Sequence, residues 1–324
     1  MSSGPPPTDH PRLRSAVGWL GLLTAIGMFI VLIAGDTVTN TGSQTGCGPS
    51  WPLCRGQFIP EFAVSTAIEF THRMITAAES ILVLLLTIGL LRIYWSRISA
   101  RVLAVLLIGT LLLQAGMGAW AVLQPVDPWV LALHFGFSLL AFAAAVLAGI
   151  AARWPERAMR AIRTPGVVVA AVWGTGVYLY ALVYSGAYVS HAGAAQACST
   201  WPTCGAQGPA MLVATNLTHR GGAAVALLLS IGLIALVHWR TPDRRDLIGG
   251  AWLLLATLVA QGAAGAVLVF SRWDLFGELL HAGVMAFVFG AIAFLCFRVT
   301  LRPQATQAAR APDGGERAVG LARQ

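Results

Sequence analysis

Eight stretches of the chain are apolar along almost their whole length, at about residues 16–36, 67–91, 102–123, 130–151, 166–188, 213–237, 247–270 and 277–299. Each is close to the roughly 20 residues that an α-helix needs to cross a bilayer. Polar positions gather between the stretches, and the period-two alternation of a membrane barrel is absent. Backbone groups in hydrocarbon must find their partners within the segment, so each stretch is predicted to be a helix. The expected fold is all-α, a polytopic membrane protein with eight transmembrane helices.

Composition agrees: 57% of the residues are hydrophobic and 10% charged, where a soluble domain carries about a quarter charged residues. The net charge of +8 would suit nucleic acid, but its placement does not. All 21 basic residues are arginines. Sixteen lie in the two tails or in the loops after the second, fourth and sixth spans, and Arg298 at the very end of the last span; Arg55 and Arg272 lie in the alternate loops, and Arg73 and Arg220 within helices. That asymmetry is the positive-inside pattern. It places both termini in the cytoplasm, in a multi-pass cell-membrane protein surrounded by lipid, with no nucleic-acid partner. The loops at 37–66, 124–129, 189–212 and 271–276 then face outward. The first apolar run is long enough to span and lacks a cleavage site, so it reads as a helix and not as a signal peptide. Residues 1–10 and 303–324, rich in Pro, Ala, Gly and Arg, read as disordered ends of the cytoplasmic tails 1–15 and 301–324.

The halves repeat each other. GDTVTNTGSQTGCGPSWPLC at 35–54 matches GAYVSHAGAAQACSTWPTC at 186–204, with one residue deleted between the second pair of cysteines. THR at 71–73 matches THR at 218–220, Gln114 matches Gln261, and His134 matches His281, all at one offset of 147 residues. Four spans per unit give both copies the same orientation, unlike the inverted repeats of many transporters. The predicted organisation is two tandem, pseudo-symmetric four-helix bundles, 16–151 and 166–300, of the kind whose cores house cofactors.

Of seven histidines, four are related by the repeat: His72, His134, His219 and His281. All four fall a turn or two inside the outer ends of helices that run in one direction, so the members of each pair share a depth. Two imidazoles at one depth across a bundle core can bind a heme iron from both sides. A lone intramembrane histidine can simply bridge helices, but four at duplicated positions point to function. Zinc would want three or four close ligands, and each half offers two. His10, His191 and His238 have no counterpart. Arg73 and Arg220 directly follow ligand candidates; they either snorkel to headgroups or pair with heme propionates.

Cys47/Cys54 and Cys198/Cys204 are close pairs in outward loops, where disulfides are the default; an exposed pair on a short loop could also exchange electrons. Cys296, in the last span, reads as a buried thiol. One asymmetry matters: the first half has Glu69 three residues before His72, whereas the second has Asn216 before His219. Glu69 shares the face of His72, where a carboxylate could move protons or stabilise positive charge; it could also be an interface residue facing water.

As a set, Glu69-x-x-His72-Arg73, His134, His219-Arg220, His281 and the two cysteine pairs resemble the heme A synthases, the Cox15/CtaA family, over almost the whole chain. The resemblance implies a membrane-bound heme-dependent oxidoreductase. Its reaction would oxidise the C8 methyl group of heme O to a formyl group by successive hydroxylations, giving heme A for a terminal oxidase. It further implies that His219 and His281 ligate a heme b cofactor, and that His72 and His134 hold the heme O substrate with Glu69 assisting. Cys47–Cys54 would be an outward disulfide and Cys198–Cys204 its counterpart. The implied partners are a heme O synthase (protoheme farnesyltransferase) and terminal oxidase assembly factors. Two other classes fit part of the pattern: a bis-histidine diheme electron carrier such as a quinol oxidoreductase subunit, and a heme transporter. The electron carrier leaves Glu69 without a counterpart and the paired cysteines unaccounted for, while the parallel repeat and outer-face histidines permit the transporter.

Overall fold

The computed structural model describes residues 11–124, 127–153 and 164–301. They form eight long helices: α1 (Pro11–Asn40), α2 (Val64–Tyr94), α3 (Ile98–Leu123), α4 (Pro128–Arg153), α5 (Gly166–His191), α6 (Ala210–Arg240), α7 (Arg245–Phe270) and α8 (Leu275–Thr300). All eight are long and apolar enough to cross a membrane. The expected all-α polytopic architecture holds.

Each expected span lies within one helix, but most of the helices reach further. α1 has 30 residues, a rise of about 45 Å against a hydrocarbon core of about 30 Å. Hydropathy marks the immersed part alone, while the hydrogen-bonded backbone continues into the interface. At the C-terminal end of α1 the hydroxyls of Thr37, Thr39 and Thr41 return to the carbonyls of Ile33, Gly35 and Thr37. Polar residues read as loop are thereby satisfied inside the helix. At its N-terminal end, residues 11–15, read as tail, are helical. The segments 1–10 and 303–324, read as disordered, lie outside the described residues.

α1 packs beside α2 and α4, and α3 closes the ring between α2 and α4; α5 to α8 repeat this arrangement. The two rings meet through α1 against α8, α4 against α5, and α4 against α8. α4 is rich in small residues, with Ala144, Ala145 and Ala148 buried, and Gly21 of α1 lies on the backbone of Gly149. Lipid offers helices little hydrophobic drive to associate, so close backbone approach through small residues takes its place. Val105, Leu112, Leu228 and Val259 point outward and are exposed, as a lipid-facing surface requires.

The contacts between the rings come in matched sets. Gly136 of α4 receives the ring of Tyr184, and Gly283 of α8, its repeat counterpart, receives Ile33, the counterpart of Tyr184. Tyr180 packs on Phe289 with ring centroids 5.6 Å apart, and the equivalent Phe29 packs on Phe142 at 6.4 Å. One packing solution has been used twice. Only the α5 copy is polar, with a Tyr184–Tyr180 hydrogen bond.

Candidate functional site: paired histidines beneath disulfide loops

The helix bounds place His72 and His219 eight and nine residues into α2 and α6, and His134 and His281 six residues into α4 and α8. All four therefore lie roughly 9–14 Å inside the N-terminal ends of their helices. Within each ring the two histidines are near enough to interact electrostatically, His72 with His134 and His219 with His281. All four rings are half-buried.

Each ring faces a glycine on a neighbouring helix. A Cβ at Gly35 would sit 3.1 Å from His72 Cε1, and one at Gly186 2.7 Å from His219 Cε1. Gly118 and Gly265, likewise repeat-related, face Cε1 of His134 and His281 at 3.8 Å and 3.3 Å. The 147-residue offset could have found the second pair of glycines, although glycine is common enough here that spacing alone does not single them out.

The polar surroundings differ between the halves. His219 Nδ1 lies 2.9 Å from Ser185 Oγ. The counterpart of Ser185 is Ala34, and His72 Nδ1 is buried without a partner. Gln261 Nε2 lies 3.1 Å from His281 Nε2. Its counterpart Gln114 instead donates to His134 O and Ser138 Oγ, both at 2.9 Å. Position 285, the counterpart of Ser138, is a methionine and offers no such acceptor. The second pair of rings is thus oriented by side chains, and the first pair is not.

Both disulfides are formed, Cys47–Cys54 and Cys198–Cys204. Cys47 and Cys54 are fully buried, so the first pair is not the exposed couple that a surface redox role would need. Each loop is stapled to the helix turn that bears a histidine. Arg73 Nη1 donates to the carbonyls of Ser50, Leu53 and Pro52 at 2.8, 2.9 and 3.2 Å. Arg220 Nη1 donates to Thr200, Thr203 and Pro202 at 2.6, 2.8 and 3.3 Å. Neither guanidinium snorkels: each spends its Nη1 hydrogen bonds on the loop, a use invisible before the loop was folded.

Glu69 is 3% exposed and not a water-facing interface residue. Oε1 pairs with Arg73 at 2.5 Å, and Oε2 accepts the Cys47 N–H at 2.7 Å. Asn216 occupies the same place but reverses the polarity, donating to the carbonyls of Ala194 and Ala195 at 2.9 and 3.3 Å. Cys296 is a buried free thiol, as expected.

Among the described residues, no three His, Cys, Asp or Glu side chains gather as a metal-ion site. Two neighbouring imidazoles in each ring could hold a heme iron, and they fall short of the ligand count for zinc. The residues present therefore fit heme in both rings.

Comparison with known proteins identifies the family. A heme A synthase of Symbiobacterium thermophilum is 38% identical over 284 residues, covering 83% of this chain and 91% of that protein. Heme A synthases of Geobacillus kaustophilus and Bacillus pumilus are 35% and 33% identical, over 87% and 89% of this chain and 91% and 96% of theirs. Residues 18–293 match the COX15-CtaA family model, described as cytochrome oxidase assembly protein. The chain belongs to the COX15-CtaA family.

Proposed function

We propose that this chain is a heme A synthase, which oxidises the C8 methyl group of heme O to a formyl group by successive hydroxylations. The observation that carries this reading is the duplicated histidine pair, one in each helix ring, in a chain of this family. His72 and His134 hold the heme O substrate in the first half, residues 16–151. His219 and His281 hold a resident heme b in the second half, residues 166–300.

The different surroundings of the two pairs support this division. A ligand that stays gains from rings fixed by outer hydrogen bonds, as Ser185 and Gln261 provide. A substrate must enter and leave, and neither the His72 nor the His134 ring has a side-chain hydrogen bond, whereas His219 is held at Nδ1 and His281 at Nε2, its Nδ1 being unpartnered like theirs. The bound iron supplies the redox chemistry, while the protein supplies position and exclusion of side reactions.

Glu69 acts in the first half as a positioning residue, since both of its oxygens are engaged. It fixes Arg73 and the Cys47–Cys54 loop over the turn that bears His72; Cys198–Cys204 and Arg220 do the same for His219. The farnesylated substrate is apolar and reaches its site sideways from the bilayer. The chain sits in the cell membrane with both termini cytoplasmic, and it works beside a heme O synthase and terminal oxidase assembly factors. The test is to express the chain with a heme O synthase and separate the extracted hemes by chromatography. Heme A and its hydroxylated intermediate are expected. Their absence, with the protein present and heme-loaded, would overturn the assignment.

A further inference from the structure

Glu79 of α2 is 4% exposed, deep in the bundle, and has no part in the site described above. Both of its carboxylate oxygens are buried without a hydrogen-bond partner. Thr87 is 7% exposed, and its hydroxyl is also buried without a partner. With His72 Nδ1, these atoms lie along one side of α2, with buried Val83 between Glu79 and Thr87. Glu79 lies seven residues and Thr87 fifteen residues beyond His72, or about 10 Å and about 22 Å closer to the cytoplasm. Spacings of seven and eight residues keep all three near the same helix face.

The column belongs to the first half alone. The repeat counterparts of Glu79 and Thr87 are Ala226 and Ile234, both buried and apolar. α1 admits the carboxyl because residue 27 is glycine, where a Cβ would overlap Glu79 Oε2. The counterpart of Gly27 is Tyr178, whose hydroxyl donates to Gly222 O at 2.9 Å. So the first half sets a carboxyl between α1 and α2 where the second half places an aromatic ring.

A carboxyl in hydrocarbon is costly in either protonation state when nothing bonds to it. Buried polar groups left without protein partners are met by ordered water. Among the described residues of α1 to α4, Glu79 is also the one carboxyl placed well below the level of the histidines. We propose that Glu79 is the mid-membrane station of a water-filled proton path along α2, from the cytoplasmic side past Thr87 to the level of His72. The path rests on the reading that the first half is the reacting one. In each passage Glu79, as the neutral acid, gives its proton to water on the His72 side. It is reprotonated by water on the Thr87 side. Only O–H bonds break and form, and no electrons move. Hydroxylation driven by oxygen takes up protons together with electrons, and this is the demand that the path meets.

The test compares the full chain with Glu79→Gln, an isosteric change, by two readouts. The first is the infrared difference spectrum on reducing the bound heme, in H2O and in D2O. The wild type is expected to give a carboxylic-acid C=O band that shifts in D2O and is missing in Glu79→Gln. The second is turnover of heme O, expected to fall at least about tenfold at unchanged heme content. A band that persists in Glu79→Gln, or wild-type turnover by that variant, overturns the path. If Glu79→Gln does not accumulate, Thr87→Val is read in the same way; lowered turnover with a larger solvent isotope effect supports the path, and wild-type behaviour overturns it. A wild-type chain that makes no heme A refutes the synthase reading instead, and the infrared band still reports on Glu79.

Discussion

The backbone N–H of Cys47 donates to Glu69 Oε2 at 2.7 Å, tying the first disulfide loop to the helix turn that carries His72. The same carboxylate holds Arg73, which grips the carbonyls on the far side of that loop. Loop, carboxylate and histidine therefore form one mechanical unit.

Glu69→Gln breaks that unit without changing its volume. An amide keeps one oxygen, enough for Cys47 or for Arg73 but not for both. Turnover is expected to fall roughly 10- to 100-fold, the cost of a small misplacement at a reacting centre, while the heme of the second half stays bound. Reduction of Cys47–Cys54 by a small thiol should also become faster, a readout that a loss of chemistry alone would not move. Full turnover with an unchanged reduction rate would remove Glu69 from the site.

The two arginines should act locally. Lysine cannot span three carbonyls as a guanidinium does. Arg73→Lys is expected to lower the opening free energy of its loop by about 2 kcal/mol, about 30-fold in amide exchange. Exchange should rise across residues 46–57 and not across 198–207, with the reverse for Arg220→Lys. Hydrogen-exchange mass spectrometry reads both segments at once. Equal change in the two loops would mean that the arginines support the bundle and not the loops.

Much of this was legible in the chain. Apolar runs gave the eight helices, and one repeat offset brought out His72, His134, His219 and His281 together. Orientation of the histidine rings was not legible, because Ser185 and Ala34 differ by a single oxygen in a segment where both residue types are ordinary. The reach of Arg73 and Arg220 was hidden as well: their partners are carbonyl oxygens, which carry no side-chain signature. Glu79 escaped notice because seven residues from a histidine has meaning only once the facing helix, with Gly27, is in place.

Gly186→Ala tests the cradle of the second pair. The new methyl would stand 2.7 Å from His219 Cε1 and force the ring aside. Heme affinity of the second half is expected to drop roughly 10- to 100-fold, as when the outer support of a ligand is lost. Gly221→Ala, which meets open space two residues beyond His219 on α6, serves as the control and should bind heme normally. Wild-type heme content in Gly186→Ala would mean that His219 can hold heme in another orientation.

The division of labour between the halves is tested most directly by heme content and product, measured together on four single variants. His219→Ala and His281→Ala are expected to lose most of the heme b from purified protein. His72→Ala and His134→Ala are expected to keep that heme b but to form no heme A from heme O. Loss of heme b from all four alike, or from His72→Ala and His134→Ala alone, would contradict the assignment of a reacting first half served by a cofactor in the second.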